Sequence, residues 1–581
     1  MNFLNKYVRK YWLPFTFAVV FLTLEAIVDL LLPTIMAKVI DVGVANRDMD
    51  YVLKMGGMML LITCFGAVSA TARNFISSFV SQRFGAELRY DLFCKIQSLS
   101  FQNIDKFDRA SLITRVTNDV TQIQMFSNGL MRIFVRAPLL CIGSLIMAVR
   151  LNPHLSIVLA VVVPIIAILI VLSMRLGFPR FMKVQKAMDR MNGVMREYLS
   201  GVRVVKAFNQ FNFEIHKFGQ ANLGLQSTAT SSTRVLSIFG PMMVAVMNIG
   251  IVAVLWFGGY GVQSGHIQVG EIIAFTNYMI QILFSLRLIS MVFIMFVRAK
   301  ASAGRIGEVF AEENQLKSKG KKSATTTSDG GLTTKGRIDF HNVSFAYNGA
   351  LSEAVLKNIT FTCLPGETVG IIGSTGSGKT SLINLIPRFY DVSEGVVKVD
   401  GVDVREYDIK KLREKIAVVP QQTMLFTGTI AENIQWGKEN ASEDEVKRAA
   451  VIAEAASFII ASPEGYHTKL GQGGINLSGG QKQRLSIARA LVKQPEILIL
   501  DDSTSAVDVA TETKIKESLK KYATQLTCMI ITQRVSSIRD ADKILVLDDG
   551  KLVGFGTHEQ LVKNCQVYQE IYHSQIGKEV L

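Results

Sequence analysis

Along the first 300 residues, apolar stretches recur six times; beyond about residue 310 no such run appears. A membrane-spanning helix needs about 20 predominantly apolar residues. The candidates are Leu13–Val44, Tyr51–Val80, Leu130–Val149, Leu155–Met174, Leu236–Val262 and Ile272–Phe296. Several are longer than a bilayer requires, so their ends are expected to project from it as helix. The segments between spans two and three and between spans four and five have helix-like spacing and few Pro, Gly or Ser residues. That pattern predicts long helical extensions turning at short crosswise helices rather than unstructured loops. From residue 312 to 336 the chain turns polar and rich in Gly, Ser and Thr, the composition of a flexible linker. Residues 337–581 alternate strand-like and helical patterns, as an α/β domain does. The expected architecture is an α-helical six-span transmembrane domain over 1–311 with long cytoplasmic helical extensions, the linker, and a C-terminal α/β domain.

Composition supports that division. Of the 581 residues, 49% are hydrophobic and only 19% are charged, whereas soluble domains carry about 25% charged residues. Dominant disorder and a single small domain are both excluded. The net charge of +15 also suits nucleic-acid binding, but such binding does not call for long apolar runs, so no nucleic-acid partner is expected. The basic residues instead sort by loop. Lys6, Arg9 and Lys10 precede the first span, and Arg83, Arg89, Lys95, Lys106, Arg109 and Arg115 follow the second. Nine more, from Arg180 to Arg234, follow the fourth, whereas Arg47 is the clear case in a short loop. The positive-inside rule then places both termini and both long segments in the cytoplasm, with the spans in the plasma (bacterial inner) membrane. The apolar N-terminal run is too long for a cleavable signal and lacks a clear cleavage site. Six scattered cysteines without CxxC spacing give no sign of a disulfide framework or a zinc site.

The chemistry lies in the second half. The apolar run Thr368–Ile372 is followed by Gly373-Ser374-Thr375-Gly376-Ser377-Gly378-Lys379-Thr380-Ser381 and then a helical run. This is G-x-x-x-x-G-K-[ST] in its required strand–loop–helix setting. Glycines let backbone N–H groups wrap phosphates, Lys379 neutralises the β/γ charge, and Thr380 offers a hydroxyl to Mg²⁺. A second apolar strand, Ile497–Leu500, ends at Asp501 and Asp502. An acid there lies near the loop, where it helps to hold Mg²⁺ through water. Either motif alone means nucleotide binding and no more.

The segment Leu477-Ser478-Gly479-Gly480-Gln481, followed by Lys482-Gln483-Arg484, resembles the signature of ATP-binding cassette proteins. Joined to the six spans, the two long segments and the linker, it identifies the chain as resembling a half-transporter of the ABC exporter family. The resemblance implies that Tyr347 stacks on adenine and that Gln421 touches Mg²⁺ and senses the γ-phosphate. It implies that Ser505-Ala506-Val507-Asp508 crosses between two cassettes. It also implies that regions 107–120 and 201–218 carry the cytoplasmic helices that contact the cassettes. Two cassettes close head to tail on two ATP molecules, each held between one chain's loop and the other's signature. One chain holds one of each, so the working unit is a dimer in the lipid bilayer.

Two residues depart from the family pattern. The residue after Asp501, glutamate in the family, polarises the attacking water; here it is Asp502, shorter by one methylene, about 1.5 Å. The family histidine that contacts the γ-phosphate is replaced by Gln533, which forms hydrogen bonds but cannot carry a proton charge. Both changes fall in one pocket. Together they resemble the weak-site subunit of heterodimeric bacterial multidrug exporters, and they imply a second, different half-transporter carrying the competent Glu and His. A homodimer with slow turnover is the alternative assembly. The segment Thr468–Gly474 also departs from the acidic type common in exporters.

In the membrane half, Glu25 and Asp29 lie four residues apart on the first span, and Arg287 lies near the middle of the sixth. Intramembrane charges are functional candidates. The two acids either face a cavity that attracts cationic amphiphiles or pair with Arg287, another basic residue or a partner chain. Spans five and six are rich in Met and Phe, as suits promiscuous apolar binding or lipid-facing packing equally. The expected activity is ATP-driven efflux of amphipathic compounds. A lipid or peptide exporter, or a nucleotide-gated channel-like protein, are the alternatives.

Overall fold

A computed structural model describes residues 3–314, 316, 335–347, 353–522 and 525–579. Most of the expected linker, 312–336, lies outside the described residues. The chain forms two compact units: residues 1–97 with 108–312, and residues 98–107 with 313–581.

The first unit contains six helices long and apolar enough to cross a bilayer: α1 (Phe3–Val44), α2 (Met49–Ser98), α4 (Arg109–Leu151), α5 (Ser156–Ser200), α7 (Phe211–Gln263) and α8 (Val269–Ala311). Two short helices, α3 (Phe101–Asp105) and α6 (Val202–Ala207), turn the chain between the long ones. The six expected spans and two short helices at turns between them are therefore present. Lipid offers no hydrogen-bond partner to backbone groups, so helix is the form in which single segments cross it.

Helices α5, α7 and α8 share a core of Leu159, Val162, Ile166, Val254, Phe275, Tyr278 and Met279. Gly250 permits that approach, since a Cβ there would lie 2.8 Å from both Met279 and Val162 side chains. The buried Tyr278 hydroxyl donates to the Leu30 carbonyl at 2.6 Å and accepts from Thr34 at 2.6 Å, tying α8 to α1. Farther along the same helices, Asp119 of α4 accepts from Arg305 Nε at 2.8 Å and Ser302 Oγ at 2.9 Å of α8.

The second unit is the cassette. Strands β1 (Ile338–Phe345), β2 (Leu356–Cys363), β4 (Glu394–Val399) and β5 (Val402–Asp403) form an antiparallel sheet in the order β2-β1-β4-β5. A six-stranded sheet runs β10-β9-β3-β8-β7-β6. Its strands are β3 (Thr368–Gly373), β6 (Ile416–Val419), β7 (Ile497–Asp501), β8 (Thr527–Ile531), β9 (Lys543–Asp548) and β10 (Lys551–Gly556). All its neighbours are parallel except the edge pair β9–β10. Buried on both faces, β7 and β8 are continuous runs of apolar residues over most of their length rather than alternating ones.

Helix α3 belongs to this unit. Phe101 packs on Phe389 with ring centroids 4.8 Å apart, and Tyr390 donates to Asp105 at 2.6 Å. Helix α3 lies just before the 107–120 region to which the resemblance points. In region 201–218, α6 buries none of its own residues.

Candidate functional site

Three adjacent parallel strands deliver the site. In register, Ile531 of β8 stands beside Ile371 of β3 on one side and Asp501 of β7 on the other. The phosphate loop, the acid pair and Gln533 therefore all emerge at the same sheet edge, where ligands of open α/β sheets bind.

The loop from Gly373 to Ser381 is shaped by its glycines. A Cβ on Gly373 would lie 2.1 Å from the Leu547 carbonyl, and Gly376 and Gly378 have φ of +87° and +93°. Those values are costly for any residue with a side chain. Ser374 and Thr375 are exposed at the crest and Ser377 is buried. Lys379 opens helix α9 (Lys379–Asn384) and folds over the loop, donating to the carbonyls of Gly373 at 2.9 Å and Ser374 at 2.7 Å. Burial lowers its pKa, opposed by the nearby charges of Asp501 and Asp502. Tyr347 hydrogen-bonds Ser381 at 2.8 Å, lies edge-on to Phe345 and Tyr390, and remains 36% exposed. That exposure leaves ring surface free to stack on a base.

Thr380 Oγ1 donates to Asp501 at 3.2 Å, and Gln421 Nε2 donates to Asp502 at 3.3 Å. Burial raises the pKa of both carboxyls, opposed by those two hydrogen bonds. Asp502 has a left-handed backbone, φ +47°, and its N–H donates to the Ile531 carbonyl at 2.9 Å. The oxygens of Thr380, Asp501 and Gln421 are the hard donors that Mg²⁺ takes. In composition and placement, these residues fit a magnesium nucleotide.

Ser478 caps helix α10 (Gly479–Leu491) in a reciprocal box: Gln481 N–H donates to its hydroxyl at 3.3 Å, and its own N–H donates to Gln481 at 2.9 Å. Leu477 is half-buried against the cassette core. A Cβ on Gly480 would come within 2.9 Å of the Ala506 carbonyl, so the signature packs directly on the crossing segment. Asp508 closes that segment, accepting from Thr511 N–H and Oγ1, both at 2.8 Å.

Three contributors escaped the sequence reading. Gln483 accepts from Ala506 N–H at 3.0 Å and donates to Ser505 at 3.3 Å. Arg534 donates to the Ser505 carbonyl at 3.2 Å, and its charge favours the ionised form of Asp502. Gln575, on helix α11 (Gln566–Glu579), donates to the Gln533 carbonyl at 2.7 Å and accepts from Val535 N–H at 2.8 Å. This fixes the backbone that carries Gln533. Gln483 and Arg534 stood inside motifs already in view; nothing local marks Gln575.

In the membrane unit, Glu25 and Asp29 are engaged by arginines of neighbouring helices. Arg73 of α2 reaches Glu25 at 3.0 Å, and Arg136 of α4 bridges Glu25 at 2.9 Å and Asp29 at 2.7 Å. Arg287 is not their partner. Glu25→Gln would leave Arg73 and Arg136 without their shared counter-ion. It is expected to lower the stability of the detergent-solubilised chain by about 3 kcal/mol, read as a lower unfolding midpoint. An unchanged midpoint would show that this cluster does not hold the helices.

Residues 15–286 match the model of the ABC transporter transmembrane region, and residues 356–505 match that of the ABC transporter cassette. The uncharacterized ABC transporter ATP-binding protein YfiB of Bacillus subtilis (strain 168) is 40% identical over 99% of this chain and 98% of its own length. Rv1273c of Mycobacterium tuberculosis (strain ATCC 25618 / H37Rv), also an uncharacterized ABC transporter ATP-binding protein, is 38% identical over 98% and 97%. Among solved structures, a bacterial Atm1-family ABC exporter with ATP bound superposes with a TM-score of 0.79 at 25% identity, covering 98% of this chain and 99% of that one. With both modules fused in one polypeptide, the chain belongs to the ABC transporter family as a half-transporter, a multi-pass membrane protein of Atm1-type exporter fold that dimerises and couples ATP hydrolysis to transport.

Proposed function

We propose that this chain is one subunit of a heterodimeric exporter that moves amphipathic compounds out across the plasma membrane, with its cassette in the cytoplasm. In this reading its own site binds ATP with Mg²⁺ but hydrolyses it slowly, and its signature completes the faster site of a different half-transporter. The observation that carries the reading is the pair Asp502 and Gln533, in a pocket otherwise furnished with Lys379, Thr380, Gln421 and Asp501.

Lys379 supplies the counter-charge to the phosphates, and the loop glycines turn N–H groups toward them. Bound Mg²⁺ supplies charge neutralisation on the phosphate oxygens. Asp502 is the group placed to accept a proton from water, but its carboxylate is set back by one methylene. Gln533 donates a neutral hydrogen bond where an imidazole would offer a charged one. ATP favours the closed cassette pair because it binds that state more tightly, and hydrolysis removes the preference.

Purifying the chain alone and measuring ATP turnover tests the reading. Slow turnover, little changed in Asp502→Asn, is the expected result. Brisk hydrolysis by a homodimer of this chain would sink it.

A further inference from the structure

Arg287 is a further intramembrane charge, and its surroundings differ from those of Arg73 and Arg136. It is exposed on α8, and among the described residues it has no hydrogen bond or ion pair. The exposed face of α8 around it reads Asn277, Ile280, Phe284, Arg287, Met291, Ile294, Arg298, spaced three or four apart and so aligned on one side. From Asn277 to Arg298 this stripe is about 31 Å long, the depth of the hydrocarbon core, about 30 Å. Arg287 lies near its midpoint, too deep for its side chain to snorkel to an interface.

Helix α5 provides the contrast. Its exposed positions from Ile157 to Leu172 are all apolar, which is what a lipid-facing surface requires. A charge at the bilayer centre faces protein or a water-filled path, not lipid. A second copy of this chain offers no free carboxylate from its own pair, because Glu25 and Asp29 are already bound to Arg73 and Arg136. A polar pathway with a fixed positive charge at its centre, between apolar side chains, meets that requirement.

We propose that the α8 stripe centred on Arg287 binds the transported compound, and that this compound is an anionic amphiphile. Its carboxylate or sulfonate meets the guanidinium, and its apolar body lies against Phe284, Met291 and Ile280. The proposal rests on the exporter reading and narrows its substrate class.

Carboxyfluorescein and rhodamine 6G share a xanthene body and carry opposite charge. Fluorescence anisotropy of each dye is measured with the purified full-length chain, together with any half-transporter that copurifies, without nucleotide. The expected result is tighter binding of carboxyfluorescein, weakened about tenfold in Arg287→Gln and largely regained in Arg287→Lys. Equal affinity for the two dyes, no measurable carboxyfluorescein binding, or an unaffected Arg287→Gln would each overturn it. So would dissociation of the oligomer in Arg287→Gln on size exclusion, which would make Arg287 an intersubunit ion pair. ATP-driven dye uptake into inside-out vesicles separates the two readings. Charge-selective binding without uptake would remove the exporter reading and leave the anion site standing.

Discussion

Asp502→Glu combined with Gln533→His is expected to speed single-turnover hydrolysis at this chain's own ATP site by about 100-fold, with little change in nucleotide affinity. Affinity is set by the loop and by Lys379, Thr380 and Asp501, which the double variant leaves alone. Rate depends on where the proton acceptor stands and on whether the γ-phosphate contact can be charged. Asp502 is only partly buried. Gln421, now bonded to Asp502 at 3.3 Å, is placed to orient the longer carboxylate as well. Hydrolysis is measured on pre-bound ATP in excess protein, so that product release does not mask the step. An unaltered rate in a folded, ATP-binding variant would show that these two residues are not what limits the site.

The second large effect concerns the partner's nucleotide. In the proposed heterodimer, Ser478→Ala is expected to lower steady-state ATP turnover by about 100-fold, because on that reading a donor to the transferring phosphate disappears from the faster site. Lys379→Ala on the same chain, which in the proposed heterodimer removes a phosphate contact from the slower site and reaches the faster one only through coupling, should cost less. Ser478 also caps α10, and loss of the cap costs about 1 kcal/mol. Ser478→Thr keeps the cap and is the control, and a thermal melt of each variant separates the two effects. Equal losses from Ser478→Ala and Lys379→Ala would mean that both sites turn over alike, as a homodimer requires.

The parts legible in the sequence are those whose physics is contiguous. A span announces itself because a helix in lipid satisfies its own backbone and needs only a long apolar run. The phosphate loop does so because its glycines, lysine and threonine act within nine residues. Helix ends were harder to read. The third apolar run begins at Leu130, yet α4 starts at Arg109; the second ends at Val80, yet α2 continues to Ser98. Those extensions carry charge, so hydropathy says nothing about them, and it is the helix-like spacing of the segments after spans two and four that predicts them. The ion cluster was illegible for another reason. Glu25 meets Arg73 and Arg136 from helices 48 and 111 positions away, and nothing local chooses them over Arg287. Gln575 holds Gln533 across 42 positions and likewise leaves no mark in either segment.

The hydrogen bonds around Ser505 set a constraint on energetics. Gln483 of the signature helix holds Ser505 and Ala506, Ser505 Oγ donates to the Asp502 carbonyl at 2.9 Å, and Arg534 donates to the Ser505 carbonyl. The signature helix, the Ser505–Ala506 segment and the backbone at Asp502 are therefore joined in one hydrogen-bonded group. For two unequal sites joined in this way, coupling is a single quantity shared by both. The factor by which ATP at the slow site tightens the fast one must equal the factor felt in reverse, however different their rates. In the proposed heterodimer, a site that seldom turns over would still contribute its full share to that exchange, and its ATP would act as a steady ligand biasing each cycle of the neighbouring site.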